Sequence, residues 1–117
     1  MRIAEFVTSE LPYPLPDGKV FASIDVVGQL AEGFKATGHE VVWYAPKGTK
    51  TGAELRDCQI KPLRLQKNYL EQNDAGRVIQ ATFFNSLFLS HIAKASDEFD
   101  IIHFHNTRLP LPFCRLI

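Results

Sequence analysis

The most constraining stretch of this sequence is residues 21 to 45, where an amphipathic segment passes through a tight turn into a β-branched and aromatic run. From Phe21 to Thr37, Ile24, Val27, Leu30, Ala31 and Phe34 recur at intervals of three and four, and Asp25, Gln29, Glu32 and Lys35 occupy the other side. That period gives a helix with one apolar stripe, for which Ser23 is a candidate N-cap. Gly38 follows where a helix ends on a left-handed residue, a conformation glycine adopts without a Cβ penalty. Glu40 to Ala45, EVVWYA, then reads as a strand closed by Pro46 and Gly48. Upstream, Ile3 to Val7 is a short apolar run that stops at Thr8-Ser9. The next stretch, ELPYPLPDGK, has three prolines and a glycine and continues neither a strand nor a helix. Strand, helix and strand in this order form a right-handed βαβ unit, which requires parallel strands.

The remaining segments extend the same α/β pattern. Ile60 to Leu65 reads as a third strand, placed at a sheet edge because Pro62 has no N–H to give a ladder. Between Asp74 and Ala95, Val78, Ile79, Phe83, Phe84, Leu87, Phe88, Ile92 and Ala95 cover a wide helical face, with Asn73 or Asp74 as cap. A long, well-buried second helix is expected there. Phe99 to His105, FDIIHFH, has the continuous apolar character of a central parallel strand. The predicted sheet order is 3-2-1-4, a doubly wound parallel sheet with flanking helices. Residues 106 to 117, NTRLPLPFCRLI, end in an apolar run with no cap, so the sheet is expected to be cut after its fourth strand. At 117 residues the chain holds one domain or part of one.

Composition narrows the function classes. Thirteen basic residues balance thirteen acidic ones, which leaves no electrostatic footprint for nucleic acid. No stretch approaches the ~18 consecutive apolar residues of a membrane span, so a membrane role would be peripheral. Cys58 and Cys114 stand far apart with no CxxC spacing, which points to a reducing compartment, most simply the cytoplasm. The start of the chain, broken by Glu5, lacks the apolar region of a signal peptide. Neither GxGxxG, GxxxxGK[ST] nor a nucleophile elbow is present. Asp17, Asp25 and Asp100 form no defensible carboxylate pair, since Asp25 falls on a polar helix face and Asp100 begins a strand.

The sharpest chemical signal is HFH. His103 and His105 are two apart, so on a strand they share a face, and the carboxyl end of such a strand opens into the crevice where α/β sheets bind ligands. Two core histidines with satisfied ring nitrogens are the structural alternative. His103, one pleat earlier, is expected to lie further inside than His105. A metal site would need more ligands, and His39 and His91 belong to a turn and a helix with no fixed spacing to the pair, so no metal is expected. Gly18 lies in the loop after the first strand, where backbone N–H groups and a helix N-terminus can face an anion, or where it serves as a turn glycine. Arg108, in the loop after His105, can meet a charged substrate.

MRIAEFVTSELPYPLPDG, LAEGFKATGHEVVWYAPKGT and DEFDIIHFHNTRLPLP, in this order and spacing, resemble successive segments of the N-terminal domain of family 4 glycosyltransferases along essentially the whole chain. The resemblance implies a Rossmann-like domain of the two-domain GT-B architecture. It also implies retaining transfer of a sugar from a nucleotide-sugar donor to a glycosyl acceptor, with no cofactor beyond that co-substrate and usually no bound metal. It places the functional histidine at the second position of HxH, here His105, with His103 in support. The sequence departs from the family where paired glycines and an acidic residue are common: Phe21-Ala22 and Ile24 stand there. Residues 1 to 117 would then be the mainly acceptor-side part of the enzyme, lacking the nucleotide-sugar-binding domain, inactive alone and able to self-associate through the cut edge. The other reading is a non-catalytic α/β binding module for a nucleotide or sugar phosphate.

Overall fold

Helix period and turn chemistry produce the βαβ unit that the sequence requires. In the computed structural model, which describes residues 1–16, 18 and 22–105, β1 spans Arg2–Phe6, α1 Ala22–Ala36 and β2 Glu40–Tyr44. Gly38 takes φ 92° between helix and strand, the left-handed conformation that L-residues with a Cβ avoid. Ser23 is the second residue of α1 and therefore not its N-cap. Then come β3 (Glu54–Arg56), a 3₁₀ turn at Leu63–Leu65, α2 (Asp74–Lys94), a second 3₁₀ turn at Ser96–Glu98 and β4 (Ile101–Phe104). The strands form one sheet in the order β3-β2-β1-β4, and every pairing is parallel. This is an α/β fold with a Rossmann-like arrangement, as the sequence predicts.

The third strand lies elsewhere than expected. Glu54–Arg56 pairs with Val42, Trp43 and Tyr44, while Ile60 closes a turn by donating to the Asp57 carbonyl and the chain passes through residues 61 and 62 into the 3₁₀ segment. Ile60 and Leu63 are both buried in the core, and their three-residue spacing suits one face of a turn rather than one face of a strand. Cys58 and Gln59 reverse the chain just before it with φ 52° and 63°.

Side chains alternate across the sheet and define two cores. Ala4, Phe6, Val42 and Tyr44 face α2 and pack with Phe84, Phe88, Leu89 and Ile92. Val7, Val41, Trp43 and Ala45 face α1 and pack with Ile24, Val27 and Ala31. The first turn of α2 is capped by Asn73, whose side chain accepts from the Gly76 N–H at 2.8 Å. The buried face of α2 is narrower than its apolar content suggests, because Val78, Ile79, Phe83 and Leu87 are exposed. A single sheet face covers only one side of a helix, and a wider apolar face has no second layer to enter among the described residues. The fourth strand has the apolar character of a central strand but lies at the sheet edge among the described residues, as the order 3-2-1-4 places it, with Ile101 42% exposed. No helix among the described residues is long and apolar enough to cross a membrane.

The described residues of the loop after β1 are held by side-chain contacts at Glu10 and Tyr13. The Tyr13 ring lies on Gly28 of α1, where an added Cβ would stand 2.4 Å from its nearest ring atom, and stacks at a tilt on Trp43 with centroids 5.3 Å apart. Glu10 accepts from Arg64 Nε at 2.9 Å and from the Tyr69 hydroxyl at 2.8 Å. Burial works to raise the Glu10 pKa, but the hydrogen bonds from Arg64 and Tyr69 outweigh it and hold the carboxyl below its ordinary value. Burial, followed by that same bond to Glu10, pushes the Tyr69 hydroxyl up to about 12.

Candidate functional site

The alternation that builds the two cores also places a carboxylate inside the sheet. Ala4 and Phe6 point to α2, so Glu5 points to the α1 side, and it is fully buried there. Ile102 and Phe104 of β4 pack on the α2 core, so His103 and His105 share the face of Glu5. The parallel register pairs Glu5 with His103, and the backbone N–H of His105 prolongs the pairing by donating to the Phe6 carbonyl at 3.1 Å. Three polar side chains are thus brought together by backbone geometry alone, on a face where α1 lies over β2 and β1.

Glu5 Oε1 stands 3.2 Å from His103 Nδ1, and Glu5 Oε2 stands 2.7 Å from His105 Nε2. The two imidazoles lie against each other with centroids 4.1 Å apart. For a buried carboxylate to be satisfied here both rings must donate, because Glu5 has no Lys or Arg partner among the described residues. That assignment leaves His103 Nε2 and His105 Nδ1 as the outward acceptors. Exposure reverses the expected depth of the two histidines: the His103 side chain is 43% exposed and that of His105 14%. His105 follows the end of β4 and its ring meets Glu5 through Nε2, whereas His103 stands on a strand that is at the sheet edge among the described residues.

The location has a topological meaning. In the order β3-β2-β1-β4 the chain runs outward from β1 through β2 to β3 and then crosses back by way of α2 to β4 on the other side of β1, so the direction of winding reverses between β1 and β4. Doubly wound sheets bind ligands outside the carboxyl ends of the strands at such a switch point. Glu5 and His103 are the penultimate residues of β1 and β4, and His105 directly follows β4.

Other sequence candidates divide differently. His39 precedes β2 and lies at the opposite, amino end of the sheet, 3.1 Å through Nδ1 from the N-terminal amine. His91 occupies the last turn of α2, ahead of β4 and again at the amino end. Neither joins the pair, as their spacing indicates. Gly18 is exposed in a turn with φ 80°, and an added Cβ would meet nothing, so its backbone conformation is what calls for glycine. Arg108, Asp17 and Cys114 lie outside the described residues. Asp100 is exposed and accepts from the Arg2 N–H at 2.8 Å, which ties the amino ends of β1 and β4 together. Sequence reasoning missed Glu5, which it treated only as an interruption. The available signal was a carboxylate in the middle of a strand that a βαβ unit buries on both faces. No protein-family model matches this chain, and no curated protein matches it.

Proposed function

We propose that this chain is the N-terminal, mainly acceptor-side part of a sugar transferase that takes its sugar from a nucleotide-sugar donor, with His105 contacting the transferred sugar. The observation that carries this reading is the coincidence of the HFH histidines with the switch point between β1 and β4. The resemblance of the GHEVVWYAP and DIIHFH segments to family 4 glycosyltransferases supports it. Glu5 orients the His105 ring by accepting from Nε2 and presents Nδ1 as an acceptor for a sugar hydroxyl. Gly18 and Arg108 are assigned to the phosphate side of the substrate. No carboxylate pair or nucleophile is required of this half, since the donor would be held by a second nucleotide-sugar domain across a cleft. The protein would act in the cytoplasm, at most peripherally to a membrane.

The test is sugar transfer by the enzyme in which this chain is joined to its nucleotide-sugar domain, surveyed over uridine, guanosine and adenosine diphosphate sugars. His105→Ala should lower turnover by roughly tenfold to a thousandfold, the usual loss for a well-placed polar group. Wild-type transfer by that variant would overturn the assignment.

A further inference from the structure

We propose that Glu5, His103 and His105 form a binding site for one divalent transition-metal ion of the zinc type. The proposal does not rest on the sugar-transfer reading, although it uses the same His105, and it departs from what the family resemblance implies about metal.

The donor set comes first. Two imidazoles and a carboxylate are the ligands of many open zinc sites and of the two-histidine, one-carboxylate iron sites. Hard cations such as magnesium and calcium prefer all-oxygen shells and are disfavoured by the two nitrogens. One ligand atom from each residue can be chosen so that all lie within 4.8 Å of one another. Tetrahedral ligands about 2.0–2.1 Å from zinc stand about 3.3 Å apart. The observed separations of 3.2 Å and 2.7 Å, one to each oxygen of Glu5, lie close to that spacing, and side-chain rotation of well under an ångström at the shorter contact would open it to about 3.3 Å.

The second argument is electrostatic. Glu5 is fully buried, yet its partners among the described residues are only imidazoles, one of them close to sealed from solvent. A buried carboxylate without a compensating cation is costly, and a bound cation supplies the missing charge. Neutral imidazoles need lose no proton to accept it. Each moves its N–H from the nitrogen facing Glu5 to the outward one, so His103 coordinates through Nδ1 and His105 through Nε2. The half-exposed His103 side marks the way in and leaves a coordination position for water or a substrate oxygen. Backbone register holds two of the three residues and strand periodicity the third, so little ordering is required on binding.

The experiment is titration of the metal-free chain with Zn²⁺ by calorimetry and with Co²⁺ by visible absorption, which reports imidazole and carboxylate coordination directly. One ion per chain is expected, with Glu5→Gln and His103→Asn each weakening binding by about tenfold or more and His105→Asn doing the same. His39→Ala should leave binding unchanged, which separates this site from chelation by the N-terminal amine and His39. Circular dichroism of each variant establishes that it is folded. His103→Asn, at the most exposed of the three positions, keeps the test decisive if the buried variants unfold. Absence of binding, binding indifferent to His103→Asn, or binding abolished by His39→Ala would each overturn the proposal. Because coordination through Nε2 puts the N–H of His105 on Nδ1, the sugar-transfer assay is run separately on metal-free protein, so that failure of either proposal can be told from failure of the other.

Discussion

Glu5 of β1 and His103 of β4 are register partners separated by 98 positions in the chain, and their side chains meet at 3.2 Å on the face of the sheet that looks toward α1. His105, two residues further on, reaches the other carboxylate oxygen at 2.7 Å. The triad couples the stability of the sheet to the chemistry of its carboxyl end.

Glu5→Ala removes the acceptor for both imidazoles and opens a cavity between two strands. A loss of about 2–4 kcal/mol is expected from the unpaired groups and lost packing together. Urea unfolding measures it, and a change below about 0.5 kcal/mol, the range of an ordinary surface substitution, would mean that the triad contributes nothing to the fold.

His105→Ala should destabilise more than His103→Ala. The first removes a ring that is only 14% exposed and leaves a buried carboxylate oxygen facing a cavity, while the second opens its oxygen to solvent where the lost side chain was already 43% exposed. About 1–3 kcal/mol is expected for His105→Ala and roughly half as much for His103→Ala. Thermal melts of the two variants in parallel decide the order, and the reverse order would contradict the geometry.

Gly28→Ala places a methyl group 2.4–2.9 Å from three atoms of the Tyr13 ring. Tyr13 is held from its other side by Trp43, so it cannot yield without loosening the loop after β1. A cost of about 1–3 kcal/mol follows. Trp43 is the sole tryptophan, so a changed emission maximum should accompany the loss. Unaltered fluorescence and stability would show that Tyr13 moves freely.

Acid should weaken the packing around Glu10 and Glu98. Hydrogen bonds from Arg56, against a smaller opposing effect of burial, hold the Glu98 carboxyl below its ordinary value. Burial opposes the corresponding bonds to Glu10, from Arg64 and Tyr69, without cancelling them. A carboxyl whose folded pKa is depressed stabilises the fold fully above its unfolded value and loses that contribution as pH falls through the folded one. Stability should therefore fall below about pH 4.5, the ordinary value of these groups. Glu10→Gln should be less stable than the wild type at neutral pH and lose less on acidification. An identical slope in both proteins would refute the coupling.

Phe83→Ser and Leu87→Ser should be close to neutral despite removing large apolar groups. The two side chains are 67% and 53% exposed, and the change in stability should stay within about 0.5 kcal/mol. A loss comparable to that of Phe88→Ala, for which about 3–5 kcal/mol is expected, would place these residues in a core.

Local patterns determined much of this protein. The three- and four-residue spacing of Ile24, Val27, Ala31 and Phe34, with Gly38 after it, made α1 and its end legible, because helix period and left-handed termination are properties of a few consecutive residues. The same holds for EVVWY, for the Asn73 cap and for the histidines sharing one face, and the βαβ rule then sufficed for parallel pairing of β1 with β2. Tertiary structure decided the rest. Glu54–Arg56 has one apolar residue and becomes a strand only because the edge of β2 offers it hydrogen bonds, while Ile60 and Leu63 look like a strand but fill a core from a turn. Whether an apolar residue of α2 is buried depends on which side meets the sheet, and composition does not specify that. The partner of His103 and His105 was hidden for the same reason. Glu5 meets them only after β4 pairs with β1 across nearly the whole chain, and the register of that pairing is set by the cores on both faces of the sheet.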